Sequence, residues 1–265
     1  MPPACSTMCL IAVALNCHPD YPLILAANRD EFLQRPTEPM HVWPQPQGLI
    51  AGRDRQAGGT WLASGADGRL AAVTNVRDQR LQRKGPSRGR LAVDFVSRDQ
   101  PINDWLAEVR LQDNHRAGYN LLLFELRGRQ PLGCWHSNAP GSKTSTLDSG
   151  IHVLSNAGMN DPWPKVERLR ECLERCLSIA ERQTLQARLL AALLDTRPAP
   201  RHQLPDTGVG IETEQGLSAP FIRLPGYATR STTLALFDQQ RQLELIEYRH
   251  QQTVCEDSSR YVRQL

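Results

Sequence analysis

Two short apolar runs at the front of the chain constrain its fold most. Residues 9–15 are apolar throughout, and residues 23–27 repeat the pattern after Pro22. Runs of this length are consistent with buried strands. Paired as a hairpin, they would return Asn28-Arg29-Asp30-Glu31, which ends the second run, to the end where Cys9 begins. Residues 61–63 and 70–75 flank Asp67-Gly68, a strong hairpin turn signal. Further strands are expected at 119–126, 132–136, 151–154, 232–237 and 243–248. Helical spacing of apolar residues marks 89–97, 102–109 after Pro101, 164–180 and 184–194. Residues 197–216, rich in Pro, Gly and charge, read as a surface excursion.

Strands dominate both ends and helices the middle, so the expected class is α+β, a single domain with helices packed on antiparallel sheets. Strict βα alternation is missing, which argues against a doubly wound fold. Gly58-Gly59 lacks the lysine and following helix of a phosphate loop.

The 265 residues are 40% apolar and 22% charged, a soluble globular balance. A net charge of +3 makes no case for a nucleic-acid partner. Basic residues cluster at Arg77, Arg80, Arg83, Lys84, Arg88 and Arg90, expected as a solvated loop or as an anion-facing lip. Seven scattered cysteines and no secretory signal imply reduced thiols and a cytoplasmic location. Cys172 and Cys176 share a helical face with leucines and read as core rather than as metal ligands. No run is long enough to span a bilayer.

Cys9 directly follows Met8. Were the chain to start at Met8 and lose it, Cys9 would be terminal and carry its own base. An α-amine of pKa roughly 7.7–8.0 beside a thiol of roughly 8.5 makes proton transfer nearly balanced. With residues 1–7 attached that nitrogen is an amide and accepts no proton. Arg29 could lower the thiol pKa and Asp30 could position the amine, or the pair could form an ion-paired turn. Asn75 and Asn156 each follow an apolar run and are candidates for oxyanion donors or for turn residues. Arg230 precedes the 232–237 strand and suits a substrate carboxylate, a phosphate or a structural ion pair. The seven histidines are dispersed, a Cys9–His152 pair has no local motif, and no metal-ligand spacing occurs.

Asn28-Arg29-Asp30-Glu31 resembles the signature of the NRDE family, which includes the transport and Golgi organisation protein 2 group. The likeness extends through Ala51-Gly52-Arg53-Asp54, Gly59-Thr60-Trp61, Ser87-Arg88-Gly89, Gly118-Tyr119-Asn120, Leu154-Ser155-Asn156 and Tyr227-Ala228-Thr229-Arg230. It implies a four-layer αββα sandwich of the N-terminal nucleophile hydrolase type over residues 8–265. It also implies catalytic positions at Cys9, Arg29, Asp30, Asn75, Asn156 and Arg230, with Asp30 nearer the arginine than in the related acylases. Met1–Thr7 would be a mis-called start or a removed pro-segment. The expected function is handling of an apolar, anion-bearing cargo, haem or acyl-CoA/lipid, in trafficking or homeostasis. The alternative is a thiol amidohydrolase with Cys9 as nucleophile. Hydrolysis would need no cofactor, and haem would enter as cargo.

Overall fold

The protein is described by a computed structural model covering residues 8–78, 81, 85–141, 143–250 and 257–265. Its strands are β1 (Met8–Leu15), β2 (Leu23–Phe32), β3 (Thr37–Val42), β4 (Ile50–Asp54), β5 (Leu62–Ser64), β6 (Arg69–Asn75), β7 (Tyr119–Glu125), β8 (Leu132–Ser137), β9 (Lys143–Leu147), β10 (Gly150–Leu154), β11 (Arg223–Leu224), β12 (Tyr227–Phe237), β13 (Gln242–Arg249) and β14 (Asp257–Gln264). The helices are α1 (Gly89–Ser97), α2 (Ile102–Arg110), α3 (Pro164–Cys176), α4 (Arg182–Leu193) and α5 (Ile211–Gly216). They form two compact units, one of the chain up to Gln34 with Ser149–Gln264, the other of Arg35–Asp148 with Leu265.

The first unit holds the antiparallel sheet β10-β1-β2-β12-β13-β14, with β11 added to β12. Side chains alternate across a strand. Leu10, Ala12 and Ala14 of β1 therefore share a face with Ile24 and Ala26 of β2 and with Leu234 and Leu236 of β12. That face packs on Val166, Leu169 and Leu173 of α3 and on Leu185, Leu189 and Leu193 of α4. Each fully buried leucine here contributes about 1.5–3 kcal/mol. Pro164 opens α3, where its missing N–H costs nothing.

The second unit holds the antiparallel sheet β3-β4-β5-β6-β7-β8-β9. Leu91 and Phe95 of α1 and Trp105 and Leu106 of α2 cover one face, over Ala63, Ala71, Leu121 and Leu123. Phe95 and Trp105 meet edge-on at 5.2 Å, and Trp105 Nε1 donates to Asp94 at 2.9 Å. Gly59 is where the sheet meets the start of α1: a Cβ there would lie 2.5 Å from the Gly89 carbonyl carbon. Gly59 thus serves close packing, and Gly58, at φ +70°, serves the turn before it. Gly68, at φ +82°, makes the β5–β6 turn as its sequence implied. The α+β class holds, and each unit supplies one sheet layer and one helical layer, the kinds of layer an αββα sandwich contains.

Three differences from the sequence reading have physical reasons. β2 runs on through Asn28-Arg29-Asp30-Glu31, which is strand and not a closing turn, because β1 and β12 pair with it on either side. β12 likewise begins at Tyr227, so Arg230 lies inside a strand. Five of the strands are unforeseen: β3, β9 and β14 end their sheets, β11 is a two-residue addition to β12, and β4 lies inside its sheet between β3 and β5 with Gly52-Arg53-Asp54 cutting short its apolar run. Edge strands are polar and half-exposed, so they carry no apolar run to read. In the basic cluster, Arg77 is buried and Arg88 donates to the Gly118 carbonyl at 3.0 Å, neither of them a solvated loop residue. Arg80, Arg83 and Lys84 lie outside the described residues.

Candidate functional site

The β1–β2 register sets Cys9 directly opposite Arg29 and Met8 opposite Asp30. Alternation then divides the four residues 28–31 between two faces of the sheet. Arg29 and Glu31 share the face of Cys9 and form a buried ion pair at 3.5 Å. Glu31 also accepts the Phe32 backbone N–H at 2.8 Å. Asn28 and Asp30 point the other way, toward the helices.

Asn28 is a tie between layers. Its amide donates to the carbonyls of Leu193, at the end of α4, and Pro220, at 2.8 and 2.9 Å. Its oxygen accepts from Thr232 at 2.6 Å, and Thr232 also meets His250 at 2.9 Å.

Asp30 is wholly buried and accepts the Thr229 hydroxyl at 2.6 Å through Oδ1. Its Oδ2 has no hydrogen-bond partner among the described residues. Burial pushes the carboxyl up to about 6, opposed first by the positive charge of Lys165. Lys165 is 1% exposed, in the first turn of α3. The sequence reading passed over it. The available signal was its place one turn before Leu169 and two before Leu173, on the apolar stripe where a cation needs a partner.

The Cys9 thiol is pushed up to about 12, first by burial and then by the Asp30 carboxylate. Arg29 pulls it down, as expected from the sequence, and so does a hydrogen bond from the Asp30 backbone, but both are outweighed. Ser155 donates to the Cys9 carbonyl and to Asn156 Oδ1, each at 3.3 Å, so buried Asn156 is linked to the Cys9 backbone. Arg230 sits at a β-bulge in β12, where the register with β2 shifts between Thr229 and Ser231. It donates to the carbonyls of Phe32 and Leu33 at 2.9 and 3.1 Å. Burial and the neighbouring Arg29 both lower its pKa, with Glu31 opposing them.

Cys9, Arg29, Asp30, Asn156 and Arg230 thus belong to one unit. Asn75 belongs to the other, where it ends β6 opposite Tyr119 and is buried. His152 pairs with Val13, four residues along β1 from Cys9. At about 3.3 Å per residue that is roughly 13 Å, too far for a Cys-His couple. His136 does have an acid partner: its Nε2 lies 3.1 Å from Asp113 Oδ2, and Tyr119 donates to the same carboxylate. That set is buried within the second unit, and a separation of 23 residues left no local motif to find it by.

A family model described as transport and Golgi organisation 2 matches residues 8–252. This chain belongs to that family. The family's transport and Golgi organization protein 2 homolog from Bos taurus is 32% identical over 250 residues, covering 87% of this chain and 89% of the relative. The homolog from Homo sapiens is 31% identical with the same coverage. The Drosophila melanogaster protein is 25% identical over 263 residues, with 91% of each chain covered. Among solved structures, a Caenorhabditis elegans N-acylethanolamine-hydrolyzing acid amidase ortholog aligns over 68% of this chain and 85% of its own. Its TM-score is 0.46 and its identity 10%. In this family member, then, the signature residues Asn28-Arg29-Asp30-Glu31 are four consecutive strand residues, two on each face of one sheet.

Proposed function

We propose that this family member binds an apolar, anion-bearing small molecule of the haem or acyl-CoA kind, with Arg29 and Arg230 receiving the anion. The observation that carries this reading is that two cations, Arg29 and Arg230, neighbour each other beside β2, where burial first and then the Arg29 charge lower the Arg230 pKa. An incoming carboxylate or phosphate relieves that repulsion and accepts charge-assisted hydrogen bonds. Apolar surface lies beside it. Arg230 holds the Phe32 and Leu33 carbonyls, Leu33 is exposed, and Phe32 and Leu224 are partly buried around Tyr227. Titration of the purified protein with haem and with a long-chain acyl-CoA tests the proposal. Saturable binding of at least one is expected, weakened about tenfold or more by Arg230→Gln, since a charge-assisted hydrogen bond is worth about 1.5–3 kcal/mol. No saturable binding of either removes it.

A second reading, thiol amidohydrolysis, rests on Cys9 standing opposite Arg29 and close to Asp30. In a chain that begins at Cys9, the freed amine would take the thiol proton and Cys9 would attack an amide carbonyl. Acyl-amide hydrolysis abolished by Cys9→Ala supports this. Full activity in Cys9→Ala protein excludes it.

A further inference from the structure

The opposite side of the first unit carries a second cluster of reactive groups. A cavity of about 630 Å3 lies between α3, α4 and the segment that follows α4. It exists because both helices present short side chains to it, Cys172 and Cys176 from α3 and Ala191 and Ala192 from α4. Residues four apart on a helix lie on one face. Cys176 is 1% exposed and packed in the core, whereas Cys172 is partly exposed at the cavity. Both thiols are free.

The charge around these thiols is positive. Four arginines line the cavity against two acids. Arg168 donates to the carbonyls of Arg197 and Pro198, Arg197 is held by Asp195 at 2.7 Å, and Arg175 stands 3.7 Å from Glu171. Arg188 is left with no acid partner among the described residues. The Cys172 pKa is drawn down to about 7, first by a hydrogen bond from Cys176 and then, against burial, by Arg175 and Arg188. As a neutral thiol, Cys172 donates only to the Arg188 carbonyl, at a long 3.8 Å. The surroundings thus favour its thiolate more than those of an ordinary cysteine do.

We propose that this cavity is a modification site at which Cys172 forms a mixed disulfide with a small anionic disulfide of the oxidised-glutathione class. The Cys172 thiolate attacks one sulfur of the incoming disulfide. The new Cys172–sulfur bond forms as the reagent's S–S bond breaks. The leaving thiolate carries off the electron pair and takes a proton from water. Cys172 is oxidised and half of the reagent is reduced to a thiol. The cationic rim recruits the reagent's carboxylates. The reaction stops at the mixed disulfide. Helical residues four apart hold their Cβ atoms about 5–6 Å apart, whereas a disulfide needs about 3.5–4.5 Å. Cys176 therefore assists as a hydrogen-bond donor and does not displace the adduct.

The test exposes the full chain at pH 7 to oxidised glutathione, which is anionic, and separately to cystamine, a cationic disulfide, and maps the adducts by peptide mass spectrometry. The adduct is expected on Cys172, forming at least threefold faster with oxidised glutathione than with cystamine. Arg188→Gln should shrink that ratio at least twofold. Cys176→Ala should move the pH midpoint of the reaction upward. Cys172→Ser, a change at a partly exposed position, should remove the adduct while the unfolding curve stays in place. A principal adduct on another cysteine, no adduct, cystamine reacting as fast, or a ratio unmoved by Arg188→Gln each overturns the proposal.

Discussion

At Asp30 burial and the charge of Lys165 act against each other, while at Cys9 burial and the charge of Asp30 act together. A carboxyl that titrates near 3.9 in the unfolded chain titrates near 6 in the fold. Between those values the native state binds more protons than the unfolded state, so stability contributed at this position falls as pH rises from about 4 to about 6. The change across that window is on the order of a few kcal/mol. Urea unfolding at pH 4, 5 and 6 should show the wild type losing stability relative to Asp30→Asn across that window. A difference that is flat with pH would contradict the assignment. The same carboxylate raises the Cys9 thiol. Asp30→Asn should therefore move the ionisation of Cys9 to lower pH. Thiolate ultraviolet absorbance, taken as a difference from the matching Cys9→Ala protein, measures this. At neutral pH the wild-type Cys9 should contribute no thiolate signal.

The strand β2 illustrates how one element serves two sides at once. Its odd residues, Arg29 and Glu31, form an ion pair beside Cys9, and its even residues, Asn28 and Asp30, engage the helical side. Asn28→Ala would strand the buried Leu193 and Pro220 carbonyls and take away the acceptor of the buried Thr232 hydroxyl. Each unsatisfied buried group costs about 1–3 kcal/mol, so this single change should destabilise the protein by about 3 kcal/mol or more, read as a lower urea midpoint. The bulge at Arg230 has a comparable consequence. One extra residue in β12 re-aims a side chain that regular pairing would otherwise fix.

At the scale of the whole molecule, the hydrolase reading turns on the chain end and the binding reading does not. The family match begins at residue 8, and residues 1–7 lie outside the described structure. Protein with residues 1–7 attached carries an amide at Cys9 and a thiol near 12. It should show no amidohydrolase activity while still binding cargo. Protein whose intact mass starts at Cys9 is the form in which hydrolysis is expected. Measuring mass and acyl-amide turnover on the same preparation separates the two. No helix among the described residues is long and apolar enough to cross a membrane. Much of this architecture was legible beforehand. The apolar runs fixed the central strands, and leucine spacing fixed α1 to α4, because burial is written into composition at those positions. The residues 28–31 pointed to the family and to Cys9 as their neighbour. The sequence could not divide those four residues between two faces, since that depends on register with β1 and β12. It could not bring the charge of Lys165 to bear on Asp30, 135 positions apart, or show that Arg230 sits at a bulge where β12 meets β2. Nor could it set the Cys9 thiol near 12, because a pKa is a sum over neighbours and burial that only the folded chain brings together.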